Sequence, residues 1–142
     1  MTDFLSPIER SDRMSRIRGK DTKPELALRK VLHRLGLRYR LHGAELPGKP
    51  DLVFPRYRTV VFVHGCFWHR HTGCNIATTP KSNTQFWLAK FEKNVARDAR
   101  VVAQLEALGW RVIVVWECEL SSTARAQAIG ERLSVLIRQL LR

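Results

Sequence analysis

Residues 51–64 read DLVFPRYRTVVFVH, and they predict a tight β-hairpin at the centre of a sheet. Residues 51–54 favour a strand that begins after the preceding proline, and residues 58–64 favour a second strand that is apolar on both faces. The short connection between them allows only antiparallel pairing. We therefore expect Asp51 and His64 to converge at one edge of the sheet.

Apolar periodicity and turn residues predict the remaining elements. They are a helix over 22–35, a strand over 37–41, an irregular stretch over 65–83, a helix over 84–108, a strand over 110–116 and a helix over 121–141. On the second helix the predicted buried face comprises Leu88, Phe91, Val95, Val102 and Leu105, with Phe86 also in the core. The order α-β-β-β-α-β-α predicts an α/β fold, a mixed central sheet flanked by helices, in one domain over 1–142.

The charge of the chain points to a polyanionic partner. The 142 residues include 25 Lys and Arg but only 13 Asp and Glu, a net charge of +12. The segment over 1–20 resembles a basic arm or short helix, and Arg16, Arg18 and Lys20 are candidates for DNA-backbone contact, although such a segment can also be a solvated tail. Apolar runs are too short to span a bilayer and no secretory signal is recognisable, so we expect a cytoplasmic, nucleoid-associated protein without membrane contact.

Cysteine and histidine cluster in one stretch of the chain. Three cysteines in a chain of this kind argue against a disulfide framework. Cys66, His71 and Cys74 lie in one loop, and Cys118 follows the last predicted strand, which together gives a Cys3His set suited to structural zinc. By spacing alone His69 is an alternative ligand to His71, and buried cysteines without metal are the plainer interpretation.

A second constellation combines carboxylates with imidazoles. Asp51 opens a buried strand, and Asp98 falls on the apolar stripe of the long helix, where an acid needs a partner. A carboxylate, a divalent cation such as Mg²⁺ and a histidine base, His64 or His69, suit phosphodiester hydrolysis. The plainer readings are a turn aspartate at position 51 and a salt-bridged acid at position 98.

Four sequence blocks carry a family resemblance. They are residues 46–51 (LPGKPD), 62–69 (FVHGCFWH), 86–98 (FWLAKFEKNVARD) and 108–118 (LGWRVIVVWEC). In this order they resemble the very short patch repair (Vsr) DNA mismatch endonucleases. The resemblance implies a restriction-endonuclease-like fold and a Mg²⁺-dependent nick 5′ of the T in a T:G mismatch, the lesion left when 5-methylcytosine deaminates.

The resemblance also implies roles for individual residues. Asp51 and the main-chain carbonyl of Val63 would bind Mg²⁺, and His64, His69 and Asp98 would complete the catalytic site. Members carry threonine where this chain has Val63, a change that a main-chain ligand tolerates. The remaining implied positions are Cys66, His71, Cys74 and Cys118 for zinc, and Phe67, Trp68 and Trp87 as a wedge that enters the DNA beside the mismatch.

Further assignments concern DNA contact, partners and Glu25. Lys90 and Lys93 lie in the third block and are candidates for DNA binding. Glu25 matches an acidic family position near the active site, but with Thr22 it also fits a helix capping box, which we favour. His33 and His42 are predicted to be ordinary surface residues.

Expected partners are double-stranded DNA with a T:G mismatch and other repair proteins, with a monomer as the active form.

Two other functions fit parts of the pattern. A DNA-binding module with structural zinc but no catalysis would need the basic residues and the aromatics, but not a buried acid beside two histidines. A nuclease of the same fold could act on another DNA substrate, because nothing except the resemblance separates T:G from other lesions.

Overall fold

The computed structural model describes residues 22–139, and all structural statements below concern that range. The predicted basic arm, with Arg16, Arg18 and Lys20, lies outside it. Seven helices and strands follow one another in the chain: α1 (Lys23–Arg34), β1 (Arg40–Leu41), β2 (Leu52–Phe54), β3 (Thr59–His64), α2 (Thr84–Ala107), β4 (Arg111–Trp116) and α3 (Thr123–Arg138). Short 3₁₀ turns cover Pro55–Tyr57 and Glu117–Leu120.

The strands form one sheet in the order β1-β2-β3-β4. β2 pairs with β3 antiparallel, with Leu52 opposite Val61, and β1 pairs antiparallel with β2. β4 pairs with β3 in parallel along its whole length, from Thr59 opposite Arg111 to His64 opposite Trp116. The parallel pair needs a long crossover, and α2 lies in it. The predicted hairpin and mixed α/β sheet are therefore confirmed.

Alternate side chains of the hairpin point to opposite faces of the sheet. On one face Leu52, Phe54 and Val61 pack in a core with residues of α1 and α3. On the other face Val53 and Val60 join a smaller core with Leu105 of α2. Because period-2 alternation sends neighbouring side chains to opposite faces, a short hairpin holds helices on both sides. No helix within residues 22–139 is long and apolar enough to cross a membrane.

The predicted buried face of α2 is correct at Phe91 and Leu105 but wrong at Leu88 and Val95. Leu88 is 51% exposed and Val95 is 47% exposed, whereas Trp87 and Asn94 are buried. The first half of α2 packs its aromatic residues against the aromatics of the 65–83 loop rather than against the sheet. The buried face is therefore rotated by one residue, which also leaves Phe86, predicted to be core, 40% exposed.

The close packing of α3 on α1 gives a first prediction. A methyl group added at Gly130 would overlap Cγ1 of Val31 and lie 2.9 Å from its Cβ. Overpacking of this kind costs about 1–3 kcal/mol, more than the roughly 1 kcal/mol that alanine gains over glycine in a helix. We expect Gly130→Ala to lower the free energy of unfolding, as measured by denaturant titration.

A double-mutant cycle checks the cause of that effect. Val31→Ala removes the methyl groups that the new side chain would meet. The Gly130→Ala/Val31→Ala protein should therefore be more stable than the sum of the two single changes predicts. Strict additivity would show that the two helices do not meet at this point.

Candidate active site and cysteine–histidine site

A cleft of about 620 Å³ opens at the end of the hairpin, beside α2. The residues that line it come from three parts of the chain. They include His42, Asp51, His64, His69, Arg97 and Asp98. Asp51 stands just before β2, His64 ends β3, His69 lies in the following turn and Asp98 is on α2. Residues far apart in the sequence are thus collected in one concave site.

Asp51 is fixed against the neighbouring strand. The main-chain N–H of Val63 donates a hydrogen bond to Oδ2 of Asp51 over 2.6 Å. Burial raises the pKa of this carboxyl, while the Val63 N–H and the nearby His42 and His69 oppose that rise. The structure therefore holds a half-buried carboxylate directly beside the main chain of β3.

His69 and Asp98 form a carboxylate–histidine pair. Nδ1 of His69 lies 2.6 Å from Oδ2 of Asp98. Burial acts to raise the pKa of Asp98, but the hydrogen bond with His69 and its charge outweigh it, so the pKa lies below its usual value. With Nδ1 donating to a carboxylate, Nε2 of the neutral ring is the proton acceptor. This is the arrangement of a histidine base oriented by an acid.

His64 packs face to face on His69. The ring centroids are 3.8 Å apart and the planes differ by 7°. Burial, together with the neighbouring His69, lowers the pKa of His64 to about 3. His64 is thus a neutral ring near neutral pH, and it supports one face of the His69 imidazole.

The Asp98 pair predicts a pH-dependent contribution to stability. A carboxyl whose pKa is depressed by folding stabilises the protein fully above its unfolded value, near 4. That contribution is lost as the pH falls through the lower folded-state value. We expect Asp98→Asn to lower the free energy of unfolding by about 1 kcal/mol at neutral pH.

Unfolding measured on both proteins at several pH values tests this linkage. The difference in the free energy of unfolding between wild type and Asp98→Asn should shrink toward zero as the pH falls below about 4. A difference that stays constant down to acidic pH would show that the carboxylate charge does not stabilise the fold.

The cysteines gather around His71 at the other side of the same loop. The side chains of Cys66, His71, Cys74 and Cys118 each place a ligand atom within 4.8 Å of the others. Nδ1 of His71 lies 3.6 Å from Sγ of Cys66 and 3.4 Å from Sγ of Cys118. His71, not His69, joins the cysteines, because His69 is turned to Asp98.

The aromatic residues form a cluster between the loop and α2. Trp68 and Trp87 are 5% and 1% exposed and pack with Phe91, while Phe67 is half-buried at the cluster's edge. The buried amide of Asn94 donates to the main-chain carbonyl of Trp68 over 3.3 Å. In the structure without DNA the rings of Trp68 and Trp87 are therefore buried within the protein, and their role as a wedge stays a prediction. Phe67 remains partly exposed.

Lys90 and Lys93, the candidates for DNA binding, both lie on α2. Nζ of Lys90 is 5.1 Å from the ring centre of Trp68, and Lys93 is exposed. Arg97 and Arg100 continue the same helical face toward the cleft. Sequence reasoning missed these two arginines, although their spacing from Lys93 carried the signal.

Glu25 is not part of a capping box. Thr22 makes no side-chain cap hydrogen bond, and Glu25 is 1% exposed. Its carboxylate contacts Arg29 one turn later and lies 3.0 Å from Nε2 of His42. The prediction that His42 is an ordinary surface residue is therefore wrong, because a long-range contact buries most of its ring.

Glu117 is another residue that sequence reasoning missed. Its carboxylate accepts the main-chain N–H of Cys66 over 2.9 Å and so ties the loop to the end of β4. The only signal was its position beside Cys118.

Comparison with known proteins assigns the family. The family model for the DNA mismatch endonuclease Vsr matches residues 2–75, about half of the chain. The chain is 55% identical over 128 residues to the type II nicking enzyme V.XorIIP of Xanthomonas oryzae, covering 90% of this chain and 93% of that one. It is 49% identical over 140 residues to the type II nicking enzyme V.NmeAIP of Neisseria meningitidis, covering 99% and 97%.

A third relative carries the mismatch endonuclease name itself. The chain is 44% identical over 135 residues to the DNA mismatch endonuclease Vsr of Escherichia coli, covering 94% of this chain and 86% of the relative. These matches extend over nearly the whole chain, so they include both the cleft and the cysteine–histidine site. The chain belongs to the Vsr family of DNA mismatch endonucleases and is an endodeoxyribonuclease.

Proposed function

We propose that this endonuclease nicks one strand of duplex DNA 5′ of the T in a T:G mismatch, with Mg²⁺ held at Asp51. The observation that carries the proposal is the convergence of Asp51 and the His69–Asp98 pair in one cleft. A carboxylate for a hard cation and an oriented histidine for a water molecule are what hydrolysis of a phosphodiester requires.

The donor chemistry at Asp51 fits magnesium. Mg²⁺ prefers oxygen ligands and is commonly held by one or two carboxylates, waters and substrate phosphates. The Asp51 carboxylate and the main-chain carbonyl of Val63 would hold it, since the Val63 N–H already bonds to Asp51. When bound, the ion supplies polarisation of the phosphate and charge stabilisation at the leaving oxygen.

The histidines would accept the proton of the attacking water. Nε2 of His69 would take a proton from the attacking water, and the Asp98 carboxylate would stabilise the imidazolium that forms. His64, neutral and stacked on His69, would keep that ring in place. His69 would therefore be the base, and His64 would support it.

The cysteine group fits structural zinc. Tetrahedral bonds of about 2.3 Å to sulfur and 2.0–2.1 Å to nitrogen separate the two donor atoms by about 3.6 Å. The observed separations of 3.6 Å and 3.4 Å between His71 and two cysteines agree with that value. Zinc there would join the loop that carries His69 to the end of β4, in a fold we infer to be restriction-endonuclease-like.

Mismatch recognition would use the aromatic cluster. Wedging an apolar side chain between base steps costs a few kcal/mol of unstacking, and the cost is least where the pair is already mismatched. Phe67 is the accessible member, and entry of Trp68 or Trp87 into DNA would require the cluster to open. The name of the E. coli relative supports a mismatch as the target. One nick needs one active site, so we propose a monomer as the active form.

The basic face of α2 predicts a salt effect. Lys93 and Arg100 are exposed on the face that leads to the cleft. Each phosphate contact adds about 0.9 to the slope of log affinity against log salt. We expect Lys93→Gln/Arg100→Gln to reduce that slope by about 2, measured by fluorescence anisotropy with a labelled duplex. The exposed Arg132 on α3 gives the control, because Arg132→Gln should leave the slope unchanged.

A strand-resolved cleavage assay tests the proposed function. Each strand of a T:G duplex carries a different label, and matched C:G and T:A duplexes are treated alongside with Mg²⁺ or with EDTA. A single nick 5′ of the mismatched T, lost in EDTA, is expected. Equal cutting of all duplexes would support a nuclease with another substrate, and binding without cutting would support a DNA-binding module.

A further inference from the structure

His42 lies between the cleft and a buried charge cluster. Its ring lines the cleft, and its Nε2 lies 3.0 Å from the Glu25 carboxylate and 3.1 Å from Nη2 of Arg29. Glu25 and Arg29 stand one turn apart on α1, so the contact fixes the His42 side chain to a helix of the opposite layer.

The backbone of His42 is bonded to Asp51. The His42 N–H donates to the main-chain carbonyl of Asp51 over 3.0 Å, and the next N–H, of Gly43, donates to Pro50 over 2.9 Å. These bonds hold the segment that enters β2. The side chain and main chain of one residue therefore connect the buried Glu25 to the carboxylate-bearing end of the hairpin.

The conformation of His42 is one that glycine can also adopt. Its φ is +49°, in the left-handed region that glycine adopts freely and that Asn, Asp and His adopt more often than other residues with a side chain. Lys49 and Arg58 have the same φ, so what sets His42 apart is the contact of its ring with Glu25. Arg29 already pairs with Glu25, so charge neutralisation alone does not explain why the ring is held there.

We propose that His42 is a positioning residue for the reaction: by joining Glu25 on α1 to the main chain of Asp51, it sets the affinity of the cleft for its divalent cation. This inference rests on the proposed function, in which Asp51 is a metal ligand. Partners that orient a metal ligand typically contribute 10–100-fold to metal affinity.

Substitution of His42 by glycine tests its side chain separately from its backbone. Glycine adopts a φ of +49° without cost, so His42→Gly keeps the backbone bond to Asp51 and loses the contacts of the ring with Glu25 and Arg29. His42→Gln is the conservative variant, because its side-chain amide can still donate to the carboxylate. His33→Gln is the matched control, since His33 is an exposed histidine on α1 away from the cleft.

Mn²⁺ titration followed by electron paramagnetic resonance measures the affinity directly, on the full chain with a bound mismatched duplex. We expect about tenfold weaker Mn²⁺ binding for His42→Gly, largely restored in His42→Gln and unchanged in His33→Gln. In parallel, the Mg²⁺ concentration for half-maximal nicking should rise, while the rate at saturating Mg²⁺ changes less than threefold.

The outcomes separate this proposal from the one it rests on. Unchanged Mn²⁺ affinity in His42→Gly, in a series where Asp51→Ala loses the ion, would overturn the role of His42 alone. Equal binding by wild type and Asp51→Ala would overturn the metal site and the proposed function with it. A loss of rate at saturating Mg²⁺, without weaker Mn²⁺ binding, would also refute positioning through the metal.

Discussion

Asp51→Ala is expected to lower the rate of DNA nicking by about 10³-fold or more. Removal of the carboxylate takes away the side-chain oxygen next to the main chain of Val63, and several kcal/mol of transition-state stabilisation through the metal would be lost with it. Duplex affinity should stay the same or increase, because one negative charge is removed beside the DNA phosphates. Single-turnover cleavage and anisotropy titration measure the two effects separately.

Glu45 provides the matched control for this change. It is an exposed acid in the same connection between β1 and β2, and it does not line the cleft. Glu45→Gln should nick at the wild-type rate. Nicking by Asp51→Ala at a rate within tenfold of wild type would show that the reaction does not depend on Asp51.

Cys118→Ser is expected to remove zinc and to destabilise the chain strongly. Structural zinc contributes its binding free energy to folding, and the four donors here connect a loop to the end of β4. A decrease of about 4 kcal/mol in the free energy of unfolding would lower the melting temperature by about 13 °C for a chain of this size. Metal content by mass spectrometry and thermal unfolding followed by circular dichroism give both quantities.

His69 serves as the control for the metal assignment. His69→Gln should keep one zinc per chain and lose nicking activity, because His69 contacts Asp98 and not the cysteines. Its melting temperature should fall by only a few degrees, since it loses the contact with Asp98 but keeps the zinc. Zinc lost from His69→Gln and retained in His71→Gln would show that His69, and not His71, is the zinc ligand. Full zinc content in Cys118→Ser would refute the four-ligand site.

The hairpin could be predicted from sequence because its signals are local. Residues 60–63 are apolar at successive positions, and a strand buried on both faces has few alternatives in a chain this short. The buried face of α2 could not be predicted in the same way. Leu88 and Val95 share the helical period of Phe91, and only the position of the loop aromatics selects Trp87 and Asn94 instead.

The candidate site shows the same division between local and long-range information. Spacing limited the histidine beside the cysteines to position 69 or 71, and the choice depends on Asp98, which comes from a distant helix. Glu25 had a complete local explanation as a cap, so nothing in the sequence called for a partner 17 residues away at His42. Contacts between distant elements decide such cases.

Anomalous diffraction from crystals of the protein soaked in Mn²⁺ shows directly whether Asp51 holds the catalytic cation. Data on both sides of the manganese absorption edge distinguish manganese from zinc at the cysteines. We expect a manganese peak about 2.0–2.3 Å from a carboxylate oxygen of Asp51 and from the main-chain carbonyl of Val63. Manganese bound among His64, His69 and Asp98, or absent from Asp51, would contradict the assignment of Asp51 as the metal ligand.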